Sequence, residues 1–330
     1  MSLQQSDSHS IETRRVAIFL VVAYGVAWAT AAALFLTGGL TDSPELLPGL
    51  GITLATVLLP TAYMFAPALG NVAARLLTGE GRKDLQIRPH LRGSLRVYAV
   101  AWFAPVLLTL VGAGVYFAVF SASFDPELTT YTEALRQAAG GDIGIDPWTL
   151  VAIQLVAAVT IAPLINMLFA FGEEFGWRAY LLPKLLPLGT RQATLLVGLV
   201  WGAWHWPLIA MGYNYGFEYP GVPWTGFLAM CWFTLTTGVF LAWVTLRSES
   251  VWPAAIGHGA INAVAGLSVL FVAGQPNPLV GPTPLGLVGG LGWTVAAAWL
   301  LWRSEVFTGT PPVDDASSSD TADATTAEAR

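Results

Sequence analysis

Seven long stretches of this sequence carry no Asp, Glu, Lys or Arg, and they constrain the fold more than any other feature. Six of them hold 26 to 29 residues each: 16–41, 46–74, 97–124, 147–172, 192–217 and 219–246. A helix that crosses the hydrocarbon core of a membrane needs about 20 apolar residues, so each of these predicts one span. The seventh stretch, 250–302, is interrupted by Gly274, Pro276 and Pro278 and predicts two. The chain is therefore expected to be an all-α, polytopic membrane helix bundle with about eight transmembrane helices.

The low charge content excludes an ordinary soluble enzyme. Only 11% of the 330 residues are charged, against about 25% in soluble domains. A membrane β-barrel is excluded as well, because its strands alternate apolar and polar residues. Continuous apolar runs such as VAIFLVVAYGVAWA have no such alternation.

The distribution of Lys and Arg predicts how the bundle is oriented. With the N-terminus inside, the cytoplasmic segments hold all but one of the cationic side chains, and the outer loops hold only Arg136. Basic loops are typically cytoplasmic, so both termini of this multi-pass cell-membrane protein are predicted to be cytoplasmic. We expect a polar N-terminal tail at 1–15, a transmembrane domain at 16–303 with a motif-bearing core at 148–273, and a disordered, acidic tail rich in Ser, Thr, Ala and Asp at 304–330.

A small set of ionisable residues remains near or within the predicted spans. Each such side chain costs several kcal/mol in a membrane unless it is paired or functional. The set consists of Glu173, Glu174, Arg178, His205 and His258. These residues are therefore the candidates for chemistry.

Helix geometry separates the candidates. Glu174 and Arg178 are four residues apart and can pair on one helix face, which leaves Glu173 as the freer carboxylate. His258 and Asn262 have the same spacing and are expected to face the same way. Small residues beside both histidines would let the helices approach closely. Asn166, two turns before Glu173, is expected to be an ordinary packing residue.

Three motifs on separate predicted helices resemble a known family. The strings EEFGWR (173–178), WGAWH (201–205) and HGAIN (258–262) are similar to the EExxxR, FxxxH and HxxxN motifs of the CPBP intramembrane proteases. That family includes the type II CAAX prenyl endopeptidases and bacteriocin-processing and immunity proteins. Trp201 stands where the family usually has Phe, which changes the shape of the pocket more than its chemistry.

The resemblance implies an intramembrane endopeptidase. Glu173 ends a helix that enters from outside and His258 lies about seven residues into a helix that enters from the cytoplasm, so the site is expected to open to the cytoplasm. Glu173 would act with His205 on a water molecule, and His258 and Asn262 would support that chemistry or bind the oxyanion. Glu174, Arg178 and Trp201 would have supporting roles. The implied partners are the lipid bilayer and a peptide or membrane-protein substrate, with a prenylated peptide as one option; the acidic balance of the chain gives no indication of nucleic acid.

The residues leave alternatives open. In a metal-free form Glu173 is the base, and in a metal form Glu173, His205 and His258 would hold Zn²⁺ with one position open for water. No HExxH motif is present, so only the types of these three residues, and not their spacing, indicate a metal site. A non-catalytic scaffold or regulator with the same fold, or a proton-coupled transporter, would also contain buried ionisable groups.

Overall fold

The computed structural model describes residues 10–47, 49–82 and 84–308, and this part of the chain is mostly helical. The first helices are α1 (Thr13–Leu36), α2 (Leu54–Leu58), α3 (Ala66–Thr78), α4 (Leu91–Val119), α5 (Thr129–Ala139), α6 (Pro147–Val159) and α7 (Ala162–Gly176). They are followed by α8 (Leu182–Leu185), α9 (Thr190–Trp204), α10 (Trp206–Ala210), α11 (Trp224–Ser248), α12 (Trp252–Val264), α13 (Leu291–Arg303) and α14 (Glu305–Thr308). Two short strands, β1 (Glu45–Leu47) and β2 (Ile52–Thr53), pair antiparallel. A π-helical turn, Leu59–Tyr63, joins α2 to α3, and another, Trp177–Leu181, joins α7 to α8.

The helices confirm a polytopic, helical, multi-pass membrane protein. In the described part of the chain, six helices are long and apolar enough to span a membrane: Thr13–Leu36, Leu54–Thr78, Leu91–Val119, Thr190–Ala210, Trp224–Ser248 and Trp252–Phe271. A bent pair, Pro147–Val159 with Ala162–Leu188, would be a seventh. The last predicted span corresponds to α13, which has only 13 residues. The count of eight spans and the positions of the termini therefore stay predictions.

The predicted tails fall largely outside the described residues. At the N-terminus, helix α1 begins at Thr13, so the end of the expected polar tail 1–15 belongs to the first span. At the C-terminus, Glu305–Thr308 of the expected tail 304–330 form α14. The remainder of that tail lies outside the described residues.

Two prolines interrupt the helices that carry the candidate residues. The axis bends by 48° between α6 and α7, just before Pro163 in the first turn of α7. Helix α9 ends at Trp204, and Pro207 lies in the first turn of α10. Because proline has no backbone N–H and its ring clashes with the preceding turn, both breaks follow from the sequence. His205 lies at the second break.

Glycines let the motif helices approach closely. A Cβ on Gly259 would lie 2.5 Å from the carbonyl oxygen of Pro163, where α12 crosses α7. A Cβ on Gly202 would lie 2.7 Å from Cα of Cys231, where α9 meets α11. Both approaches are closer than a side chain allows, so the predicted role of small residues at these positions is confirmed.

One end of the bundle, which we call the basic face, gathers most of the cationic side chains. The residues that form it are tied together by contacts: Lys184 Nζ lies 2.6 Å from Glu80 Oε1 and 2.7 Å from Glu12 Oε1, and the indole of Trp252 donates to the carbonyl of Ile87 at 2.8 Å. Burial acts to raise the pKa of Glu80, but the hydrogen bond and charge of Lys184 and the charge of Arg75 lower it overall. The described cations at this face are Arg14, Arg15, Arg75, Arg82, Arg88, Arg92, Arg96, Lys184, Arg191, Arg247 and Arg303.

The opposite end, which we call the acidic face, is formed by the loops 37–53, 120–146, 211–223 and 272–290. Contacts join three of these loops: the backbone N–H of Ala273 donates to the carbonyl of Ser123 at 2.9 Å, and the hydroxyl of Tyr215 donates to the carbonyl of Leu285 at 3.2 Å. Among the described residues these loops carry one cation, Arg136, and the following anions: Asp42, Glu45, Asp125, Glu127, Glu133, Asp142, Asp146 and Glu218. The two ends of the bundle therefore differ strongly in charge.

Candidate active site

A cavity of about 420 Å³ brings the predicted catalytic residues together. Glu173 of α7, His205 at the end of α9, and His258 and Asn262 of α12 all line it. The three motifs thus converge on one space although they lie on separate helices. Glu173 is 3% exposed, His205 8% and His258 5%, so these ionisable groups face a largely dry environment.

Trp201 holds the carboxylate of Glu173. Its indole Nε1–H donates to Oε2 of Glu173 at 2.6 Å. Its ring lies 5.2 Å from the ring of His258 and 5.8 Å from that of His205, measured between centroids. The sequence predicted a supporting role that shapes the pocket; the structure adds a direct hydrogen bond that phenylalanine could not make.

His205 is fixed by the backbone of its own helix. Its Nδ1 lies 2.8 Å from the carbonyl oxygen of Trp201, one turn earlier. A carbonyl only accepts hydrogen bonds, so Nδ1 carries the proton. In the neutral ring Nε2 is then an acceptor.

His258 is oriented by Glu174, a contact between residues 84 positions apart in the chain. Its Nδ1 lies 2.8 Å from Oε1 of Glu174, and the same oxygen lies 3.0 Å from the guanidinium of Arg178. The predicted pairing of Glu174 with Arg178 is confirmed. A carboxylate only accepts hydrogen bonds, so Nδ1 of His258 carries the proton in this contact.

Other polar residues, to which the sequence assigned no role in catalysis, also line the cavity. The exposed Asn262 is joined at the lining by Asn166, which was expected to be ordinary packing, and by Tyr63 and Tyr213. Asn166 lies seven residues before Glu173, a spacing that keeps two side chains on the same helix face, so a signal for it was present. Tyr63 had no such signal, because it lies far from the three motifs in the chain. Its position depends on a tertiary contact, in which its hydroxyl donates to the carbonyl of Trp204 at 2.7 Å.

The cavity opens towards the acidic face. Its lining extends to Tyr213 and Asn214, which are exposed in the loop 211–223, and to Leu285 in the loop 272–290. On the side of the basic face, α7 continues to Glu174, and the π-helical turn that follows it holds Arg178; these side chains are 0% and 1% exposed. Cytoplasmic basic loops and a cytoplasm-facing site were both expected from the sequence. The structure places the basic loops and the cavity mouth at opposite ends, so these two expectations are incompatible.

The arrangement of the side chains in the cavity gives no support to a metal-binding site. Among the described residues, no group of three or more His, Cys, Asp or Glu side chains is arranged to hold a metal ion. One oxygen of Glu173 already accepts the hydrogen bond of Trp201. The Zn²⁺ site of Glu173, His205 and His258 therefore stays a prediction without support from this arrangement, and we derive no step through a metal.

Comparison with known proteins gives two matches. Residues 148–264 match the family model described as type II CAAX prenyl endopeptidase Rce1-like. A segment of 102 residues is 33% identical to "CAAX prenyl protease 2" of Methanococcus maripaludis. That match covers 29% of this chain and 36% of the relative, so the chain spans about a third of the length of the curated relative.

Proposed function

We propose that the chain, whose residues 148–264 match the type II CAAX prenyl endopeptidase Rce1-like family model, is an intramembrane endopeptidase. It would hydrolyse a peptide bond with a water molecule activated by Glu173 and His205. The observation that carries the proposal is the convergence of Glu173, His205, His258 and Asn262 on one cavity. Amide hydrolysis needs a base, an oriented water and donors for the tetrahedral oxyanion. Each of these has a candidate in the lining.

In the first step, water attacks the carbonyl carbon of the substrate. The carboxylate of Glu173 accepts a proton from the water while Nε2 of His205 accepts its second hydrogen bond. The developing oxyanion receives a hydrogen bond from the amide of Asn262, and His258, held by Glu174 through Nδ1, lines the same space. Donors placed in advance in a site with little water are the strongest general source of such stabilisation.

In the second step, the carbon–nitrogen bond breaks. The protonated Glu173 returns its proton to the leaving nitrogen, so that the products are a carboxylic acid and an amine. Trp201 keeps the carboxylate in place through both steps, because its indole N–H binds one oxygen and leaves the other for proton transfer.

Cleavage by the reconstituted protein tests the proposal. Purified protein in liposomes is offered apolar membrane peptides, among them a prenylated peptide, because the relative is named a CAAX prenyl protease. Specific cleavage is expected for at least one peptide. If the wild-type protein cleaves none of them, a non-catalytic scaffold is favoured; a pH-driven solute flux in the same liposomes would favour the transporter.

Chelation distinguishes the two mechanisms. Because water is activated by Glu173 and His205 without a metal ion in our proposal, cleavage is expected to be unchanged by EDTA and 1,10-phenanthroline. The measurement compares initial rates before and after dialysis against each chelator, with metal analysis of the same samples. Loss of activity that Zn²⁺ restores would contradict the metal-free mechanism and favour Zn²⁺ held by Glu173, His205 and His258.

Trp201→Phe tests the hydrogen bond to Glu173. The ring is retained but its donor is lost, and a hydrogen bond to a charged group contributes about 1.5–3 kcal/mol. We expect kcat to fall by roughly tenfold or more, since each 1.4 kcal/mol is about tenfold in rate, with little change in KM. Trp243→Phe is the matched control, because it loses one indole hydrogen bond to Ser304, a contact made outside the cavity. Equal rates for both variants would mean that Trp201 only fills space.

A further inference from the structure

We propose that the cavity takes its substrate from the extracytoplasmic side of the membrane, so that the substrates are peptide segments of secreted or membrane proteins exposed outside the cytoplasm. That the cavity binds a substrate rests on the proposed function. The side of the membrane on which the cavity opens does not depend on it. Two independent observations carry it: the charge difference between the two faces, and the position of the cavity mouth.

The first observation concerns charge. Among the described residues the basic face gathers 11 Lys and Arg side chains, while the acidic face has one cation and eight anions. Short loops rich in Lys and Arg remain in the cytoplasm. The assignment does not depend on counting spans, because contacts such as Lys184 with Glu80 and Arg191 with the carbonyl of Leu301 hold the basic segments at one end.

The second observation concerns the cavity. Two of its exposed lining residues, Tyr213 and Asn214, belong to the acidic-face loop 211–223. Deeper members such as Met230 lie in the first turns of α11, which begins at Trp224 on the acidic face. By contrast, the lining includes no residue of the described basic-face segments 10–15, 79–82, 84–90, 182–191 or 247–252.

The interior between the catalytic carboxylate and the basic face is filled by packed side chains. Trp177 and Glu174 are 0% exposed and Arg178 is 1% exposed. The ring of Trp177 packs at 5.4 Å from Phe19 of α1 and 5.9 Å from Trp204 of α9, in edge-to-face contacts. A peptide arriving from the basic face would have to displace this layer, whereas one from the acidic face meets the open mouth.

Single cysteines test the assignment without any need for activity. Cys231 is the only cysteine of the chain, so Cys231→Ala gives a background without thiols. Into it are placed Asn214→Cys at the mouth, Ala265→Cys within the lining, and Ser10→Cys as the matched control on the basic face. Intact cells are treated with a membrane-impermeant maleimide, and the labelling is compared with that of permeabilised cells and of detergent-solubilised protein.

We expect Asn214→Cys and Ala265→Cys to be labelled in intact cells as fully as in detergent, and Ser10→Cys to be labelled only after permeabilisation. The reverse pattern would overturn the proposal and place the cavity mouth in the cytoplasm. Protection of Ala265→Cys in intact cells, with full labelling after permeabilisation, would also contradict it. If the labelling is as expected but the wild-type protein cleaves no peptide, the proposed function fails and the side of the cavity stands.

Discussion

Glu173→Gln is expected to lower kcat for peptide cleavage by about 10²- to 10⁴-fold, the usual contribution of a general base. Glutamine has nearly the same shape, and its amide oxygen can still accept the hydrogen bond that Trp201 donates to Oε2 at 2.6 Å. The amide cannot take a proton from water, however. The substitution therefore removes proton transfer and leaves the surrounding structure in place.

The measurement is the initial rate with the reconstituted protein, together with thermal unfolding in detergent to show that the variant is folded. Glu127→Gln is the matched control, because this exposed carboxylate lies on the acidic face outside the cavity lining. Wild-type activity in a folded Glu173→Gln protein would rule out Glu173 as the base. The proposal would then lose the residue on which its first step depends.

Much of the membrane architecture follows from local sequence. The uncharged stretch 16–41 corresponds to α1, Thr13–Leu36, because no charged side chain interrupts the apolar run. The pairing of Glu174 with Arg178 also follows from local geometry, since side chains four residues apart on a helix are neighbours. Both features depend only on residues close together in the chain, and both could be predicted.

Features that depend on how the helices are rotated and placed could not be predicted. The contact of His258 with Glu174 joins α12 to α7, and the sequence assigned Glu174 only to Arg178. The direction of the cavity depends on loops such as 211–223, whose contacts are tertiary. A charge pattern identifies which loops lie together, but it does not show to which end an internal cavity opens.

The second large effect is expected at Arg178, whose buried guanidinium neutralises Glu174. Arg178→Met removes the cation that lies 3.0 Å from Oε1 of Glu174 and 4.3 Å above the ring of Trp201. Glu174 is then a buried carboxylate with only His258 as a partner. Breaking a buried ion pair on one side costs about 3–5 kcal/mol of the free energy of unfolding, so we expect a strongly destabilised protein, measured by denaturant unfolding in detergent.

The double variant Glu174→Gln with Arg178→Met distinguishes the loss of charge balance from the loss of packing. In the wild type, Oε2 of Glu174 and both Nε and Nη2 of Arg178 have no hydrogen-bond partner among the described residues, so the pair is only partly satisfied. Replacing both partners of such a pair is often close to neutral, and the double variant is expected to be more stable than Arg178→Met alone. Arg136→Met, an exposed change on the acidic face, is the control. Equal destabilisation of the single and double variants would mean that Arg178 stabilises the fold through its contact with Trp201. Its role would then be to support the residue that holds Glu173, and not to neutralise Glu174.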